Sequence, residues 1–412
     1  MKRLWFLLAA GVLLAACSNE IPEDERLPHR GRTILAYLVA NNNLDADLKQ
    51  NVVWMYESMA EMTDSCCLLV YYRPRVSDAL VESPAILEFV SDGRGNINER
   101  PAAVSPDFDT VFREAVVRKT YEETADYNAT DPAVMLQVFG DMQMASPAES
   151  YGLIFGSHAT GWMPADATVT GRAFGSDGGY SINMPELRDV LAQSFGGAST
   201  LDFILFDACM MGAVEVAYEL RDVADYCIAS VMETPEDGFP YHAMFRYLCE
   251  PEVEFQSICN AFTTYYQNLW GTCAVLDCRR MEALADAVAA ELQSHPEASI
   301  SLETLQQYGR RLSSAADYTN FSFDVEDFVR ALNGGEVPEA FRQALDAAVV
   351  AKSCVEGRYS SLPEVDRDRF CGTGMYLPGA ELQSASWEEY YRTSVSWYDA
   401  VWRNAGGTDI RE

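Results

Sequence analysis

Short apolar runs recur along the chain: TILAYLVA (33–40), CCLLVYY (66–72), AILEFV (85–90), YGLIFG (151–156), FILF (203–206), YCIASVM (226–232) and TCAVLD (272–277). A strand with one wet face would alternate apolar and polar residues, so near-continuous apolarity predicts strands covered on both faces. Between them lie segments of helical period, LDADLKQNVVWMYESMAEM (44–62), DPAVMLQVFGDMQMA (131–145), NMPELRDVLAQSF (183–195), GAVEVAYELRDV (212–223) and PEVEFQSICNAFTTYYQNL (251–269). Several open on Asp, Asn or Pro, the residues that satisfy or dispense with the free N–H groups of a first turn. Strand and helix in alternation predict an α/β sandwich with a mostly parallel central sheet over residues 33–280.

Beyond 280 the pattern turns mainly helical, through MEALADAVAAELQSH (281–295) and PEAFRQALDAAVVAKSC (338–354). One further strand candidate, GTGMYLP (372–378), precedes an aromatic helix, WEEYYRTSVSWYDAVW (387–402). The expectation is a C-terminal helical extension, 281–412, packed on the sheet domain.

The first residues, MKRLWFLLAAGVLLAACSNE, place Lys2 and Arg3 before an apolar run too short to span a membrane. Residues 1–16 read as a secretory signal peptide, and Leu14-Ala15-Ala16-Cys17 looks like a bacterial lipobox with Cys17 as the lipidated residue. Residues 17–32 are acidic, bear proline and lack apolar period, which predicts a flexible tether. The expected protein is an exported lipoprotein of the bacterial cell envelope, touching the membrane through its anchor only.

Charge narrows the partners. A net charge of −32, from 62 acidic against 30 basic residues, argues against nucleic acid and favours cationic partners. Acidity would also keep an exported protein soluble. Of 11 cysteines, ten follow Cys17 without CxxC or zinc spacing, and several, including Cys66, Cys67, Cys227 and Cys273, sit inside apolar runs as small buried hydrophobes. Their pairing is not readable from sequence.

Four histidines allow elimination. His29 lies in the tether, His242 follows a turn and His295 ends a polar helix, whereas His158 directly follows the strand in YGLIFGSHATGW. Cys209 follows its own strand in LDFILFDACMMG, with a helix expected just after it whose N-terminal partial charge would favour the thiolate. Ligands of open α/β sheets bind at the carboxyl ends of strands, where both residues stand. They are 51 positions apart, close to the spacing of His and Cys in caspases.

LIFGSHATGW and FILFDACMMG resemble the paired motifs of the clostripain family of cysteine peptidases, in the clan of caspases, gingipains and legumain. YLVANNNLDADL (37–48), MMGAVEVAYEL after the cysteine, ASVMETPEDGFPY (229–241) and GTGMYLP extend the resemblance over most of the chain. It implies a caspase-like α/β/α fold and acyl transfer by a dyad, Cys209 attacking and His158 managing the proton. The N–H groups of Ala159 and Cys209 are the implied oxyanion donors. Asp207 and Asp237 would line a pocket for Arg or Lys, so that proteins and peptides with basic residues are the expected partners. Self-cleavage after Arg172, in VTGRAFGSDGG, is the implied maturation step. No cofactor is required; the family's calcium dependence leaves Ca2+ as a weaker expectation without an EF-hand-type loop to hold it.

One position departs from the family, which usually has Gly where this chain has Ala159. If that residue needs φ > 0, alanine misaligns the oxyanion donors. The alternative reading, a catalytically inactive peptidase-fold lipoprotein that binds basic peptides, rests on that alanine. The absence of a G-x-S-x-G motif disfavours a serine hydrolase.

Overall fold

The computed structural model describes residues 30–407 apart from 77, 79, 166–174, 197–199, 297, 309, 312–317, 320–321, 358–363 and 380–384. Residues 1–29, with Cys17 and the expected signal peptide, and Arg172 therefore lie outside the described residues.

The sheet is built around strand β1 (Arg30–Val39). On one side β1 pairs in parallel with β2 (Cys66–Arg73), followed by antiparallel β3 (Ala85–Ser91) and β4 (Val116–Thr120). On its other side lie β5 (Ala148–Gly156), β6 (Thr200–Asp207) and β7 (Ala224–Ala229), each parallel to its neighbour. Antiparallel β8 (Thr272–Asp277) and β9 (Val349–Cys354) complete that side. The chain thus leaves β1 for β2 and later returns to the opposite side at β5. The crevice between the carboxyl ends of β1 and β5 is the topological switch point of the sheet.

Two apolar layers cover the sheet, as alternation along β1 dictates. Leu35, Tyr37 and Val39 face helices α2 (Pro132–Ala145) and α3 (Met184–Phe195) through Phe139, Leu187 and Leu191. Ile34, Ala36 and Leu38 face helices α1 (Asp45–Glu61), α5 (Tyr241–Cys249) and α6 (Phe255–Tyr265) through Val52, Met244 and Ile258. Local signals agree with this packing. Asp131 accepts the Ala133 N–H at 2.8 Å to cap α2, and Asn183 with Glu186 forms a capping box on α3.

Helix α4 (Val214–Glu219) follows β6 and is only six residues long. From residue 281 onward, α7 (Met281–Ser294), α8 (Val325–Leu332) and α9 (Glu339–Ala348) pack into the same apolar layer as α2 and α3, together with Trp397 and Trp402. The helix expected over 338–354 stops at Ala348, because Val349–Cys354 pairs with β8 as strand β9. The aromatic helix at 387–402 is split into α10 (Ala385–Ser394) and a π-helical turn, Tyr398–Arg403. Among the described residues no helix is long and apolar enough to cross a membrane.

Candidate active site

Strand register brings the chemistry together. Gly156 of β5 pairs with Asp207 of β6, so His158 and Cys209, each two residues further on, leave adjacent strands at the same edge. Leu38 of β1 pairs with Gly156 on the other flank, which delivers Asn41, Asn42 and Asn43 to that edge as well. The cleft between these ends, about 470 Å³ counting the space open to solvent, is lined by His158, Cys209, Asn43, Asp47, Asp207 and Glu236, among others. His242, tilted against Trp54 with ring centroids 4.7 Å apart, and His295, bound to the Glu291 carbonyl, take no part in the lining.

His158 is 5% exposed, and its Nε2 lies 2.8 Å from Oδ1 of Asn43. An amide oxygen only accepts, so this pairing puts the hydrogen on Nε2, and in the neutral form of the ring the basic nitrogen is then Nδ1. Asn43 is held in turn by its neighbours. Asn42 donates to the carbonyls of Val39 and Ser176, both at 2.8 Å, and Asn41 donates to Asp177 at 2.7 Å. Asp177 is buried and also accepts from Arg73 Nε at 3.0 Å. Asn41 and Asn42 therefore dock the end of β1 onto the loop that follows residue 174, and the Gly175 N–H bonds the His158 carbonyl at 2.9 Å.

Cys209 is half-buried, with its sulfur 3.4 Å from the Thr234 N–H and 3.9 Å from the Thr234 carbonyl. A backbone N–H aimed at sulfur stabilises the thiolate by hydrogen bonding to the charged form. The helix N-terminus expected immediately after Cys209 is not adjacent to it, because α4 begins at Val214. A tight turn intervenes. Met210 sits at φ 63°, a conformation that costs a side-chain-bearing residue about 1–3 kcal/mol and persists only where its surroundings enforce it. The surroundings are the Met210 N–H on the Met232 carbonyl at 2.9 Å and the Gly212 N–H on the Ser230 carbonyl at 2.8 Å.

The distant GTGMYLP segment acts from behind this turn. The Gly374 N–H and the Thr373 hydroxyl both donate to the Gly212 carbonyl at 3.1 Å. Two residues on, the Tyr376 N–H donates to buried Glu215 at 2.8 Å, and Tyr391 donates to the same oxygen at 3.1 Å. Burial pushes the Glu215 carboxyl up to about 7. The chain beyond residue 281 thus fixes the loop that carries Cys209.

Ala159 does not have positive φ, so its side chain is compatible with the backbone; it packs 2% exposed in the apolar layer with Trp162 and Met163. The misalignment that a glycine-only conformation would bring is therefore not built into this chain. Its N–H meets no backbone carbonyl among the described residues.

Asp207 is 6% exposed and forms the acidic end of the cleft. Its carboxylate accepts from the Phe239 N–H at 3.2 Å and from the Tyr241 hydroxyl at 2.9 Å. Burial outweighs those hydrogen bonds and pushes its carboxyl up to about 7, with Asp47 adding repulsion. Gly238 makes this approach feasible: at φ +73°, a Cβ there would lie 2.6 Å from Asp207 Oδ2. Asp47, on the first turn of α1, also titrates above the ordinary aspartate range, through burial first and then through Glu236 and Asp237. Asp237 itself is exposed and outside the lining; its carbonyl accepts from Asn51 at 2.8 Å. The lining carboxylates are Asp207, Asp47 and Glu236. Asn43, Asp47, Glu236 and Thr234 were not singled out from sequence, although YLVANNNLDADL, which holds the first two, was noted for its resemblance. Among the described residues no group of three or more His, Cys, Asp or Glu side chains is placed to hold a metal ion.

Comparison with known proteins agrees with this geometry. The family model described as the clostripain family matches residues 36–404. Clostripain of Hathewaya histolytica is 27% identical over 227 residues, 52% of this chain, and the match spans 41% of that relative's length. A secreted C11 cysteine protease from Bacteroides thetaiotaomicron, solved with an irreversible peptide inhibitor, is 27% identical with a TM-score of 0.70, covering 90% of this chain and 99% of that one. An inactive zymogen C11 protease from Parabacteroides distasonis, 24% identical, shares the fold with a TM-score of 0.70, covering 91% of this chain and 99% of that one. With a caspase-like α/β/α sandwich, His158 and Cys209 on adjacent strand ends, and a family match over nearly the whole described chain, the protein belongs to the clostripain family of cysteine peptidases.

Proposed function

We propose that the chain is a cysteine endopeptidase that cuts after Arg or Lys in proteins and peptides. The observation that carries the reading is the register of β5 and β6, which sets His158 beside Cys209 at the mouth of an acidic cleft. In this reading Nδ1 of His158 takes the thiol proton, and the Cys209 sulfur attacks the scissile carbonyl. The N–H groups of Ala159 and Cys209 receive the negative charge on oxygen, and the imidazolium returns its proton to the leaving amine. Water then hydrolyses the thioester, releasing the new carboxylate and the free thiol. A guanidinium or ammonium of the preceding residue enters toward Asp207 and Asp47, where charged hydrogen bonds gain strength from partial desolvation.

Asn43 orients the imidazole. Asn43→Ala is expected to lower kcat by roughly 10-fold or more with little change in KM, because the ring loses its preferred tautomer and direction. Asn43→Asp, which keeps an acceptor, restores part of the loss and raises the pH at which His158 loses its proton. A uniform fall in kcat/KM through KM alone would remove Asn43 from this role.

Maturation by self-cleavage after Arg172 extends the reading, since Arg172 is the sole Lys or Arg between His158 and Arg188. Intact mass after incubation is expected to show two chains parted at Arg172, and a single chain for Arg172→Ala. Full activity from an uncut wild-type chain would show that the cut is unnecessary. Export as a lipoprotein through Cys17 is supported by the MKRLWFLLAAGVLLAAC leader and by the secreted relative.

A further inference from the structure

We infer that Cys66 and Cys249 form a disulfide that ties the start of β2 to the end of α5. Their sulfurs lie 2.9 Å apart although the residues are 183 positions apart in sequence. Unbonded carbon atoms rest about 3.5–4.0 Å apart and the larger sulfur no closer, whereas bonded sulfurs sit at about 2.05 Å, so this pair is already nearer than two separate thiols settle. The surroundings hold it there. Arg32 donates to the Glu250 carbonyl at 2.5 Å and to the Pro251 carbonyl at 3.0 Å, which fixes the chain just past Cys249. Cys66 is 7% exposed at the first position of β2. Cys67, its neighbour, points to the opposite face of the strand and contacts Ser146 at 3.4 Å, so the alternation of β2 keeps it out of the exchange.

Closing the bond removes one hydrogen from each thiol and passes two electrons to a disulfide oxidant, a thiol–disulfide oxidoreductase or oxidised glutathione. One cysteine thiolate attacks the oxidant's disulfide, releasing a first thiol. The other then attacks the mixed disulfide and releases the second. Burial, with the adjacent Cys66, holds the Cys249 thiol well above its ordinary value, which disfavours thiolate in the folded state. The bond therefore forms while the chain folds, with both thiols wet. Helix α5 begins at Tyr241, whose hydroxyl holds Asp207, and ends at Cys249. The cross-link thus anchors the far end of the helix that braces the acidic cleft, and it stands whether or not the chain is a peptidase.

The test is peptide mapping of the full-length protein, folded with oxidised glutathione and alkylated under denaturing, non-reducing conditions. One peptide pair joining Cys66 to Cys249, lighter than the two free peptides by two hydrogens, is expected. Reduction should lower the thermal midpoint by on the order of 5 °C, and Cys249→Ser should show the lower midpoint with no further response to reductant. Recovery of Cys66 and Cys249 as separately alkylated peptides, or of either joined to another cysteine, would overturn the assignment.

Discussion

Cys209→Ala is expected to reduce kcat/KM on fluorogenic peptides ending in Arg by at least ~10⁴-fold, while leaving the fold intact. The size of the effect follows from the role: without the sulfur no thioester forms, and only binding and the oxyanion donors remain to accelerate attack by water. The fold should tolerate the change. Cys209 is half-buried, and the Thr234 backbone meets its sulfur at 3.4 and 3.9 Å, contacts too weak to hold the fold. Its aim is set by the backbone bonds of Met210 and Gly212, which alanine leaves in place. Paired thermal melts and kinetics check the prediction. Retention of a few per cent of wild-type activity would remove Cys209 as the nucleophile.

Asp207→Asn is expected to give the second largest effect, confined to basic substrates. A charged hydrogen-bond partner in a largely desolvated site is worth roughly 2–4 kcal/mol, so kcat/KM for Arg peptides should fall about 30- to 10³-fold. The pH dependence adds a sharper signature. Burial pushes the Asp207 carboxyl up to about 7 in the free protein, so its ionised form, the one that receives a guanidinium, accumulates only as pH rises through that value. Wild-type kcat/KM should climb through the same range, and Asp207→Asn should lose that limb. Stability runs the other way. The folded value lies above the ordinary 3.8, so the favourable contribution of the protonated carboxyl is complete below about 4 and is lost as pH rises through about 7. The midpoint of Asp207→Asn should therefore improve relative to wild type as pH rises from 5 to 8. Equal losses on Arg and neutral peptides would show that Asp207 only braces Phe239 and Tyr241.

The strands were legible because they are covered on both faces: seven apolar runs correspond to β1, β2, β3, β5, β6, β7 and β8. His158 and Cys209 were legible for the same reason, each standing just past such a run. Asn43 was not, because its partner lies 115 positions away and is reached only once β1 is placed beside β5. Asp47 is locally one more polar position in a segment of helical period, and only the docking of α1 over the cleft gives it a role there. VVAKSC continues the apolar pattern of α9, and nothing local says that pairing with β8 will end the helix at Ala348. The turn through Met210, which separates Cys209 from α4, depends on a non-glycine residue at positive φ, a conformation that sequence does not announce. Conversely, the doubt raised by alanine after His158 was a question about φ, and the backbone there answers it.

The central claim is that Cys209 is a nucleophile serving a pocket for basic side chains, and covalent capture tests it most directly. The full-length protein is incubated with peptidyl acyloxymethyl ketones ending in Arg, Lys, Asp or Asn, and the adduct is located by intact mass and peptide mapping. One adduct per chain is expected, on Cys209, formed fastest with Arg and lost in His158→Ala. No adduct on Cys209, or labelling that is no faster for Arg and Lys than for Asp and Asn, would contradict it.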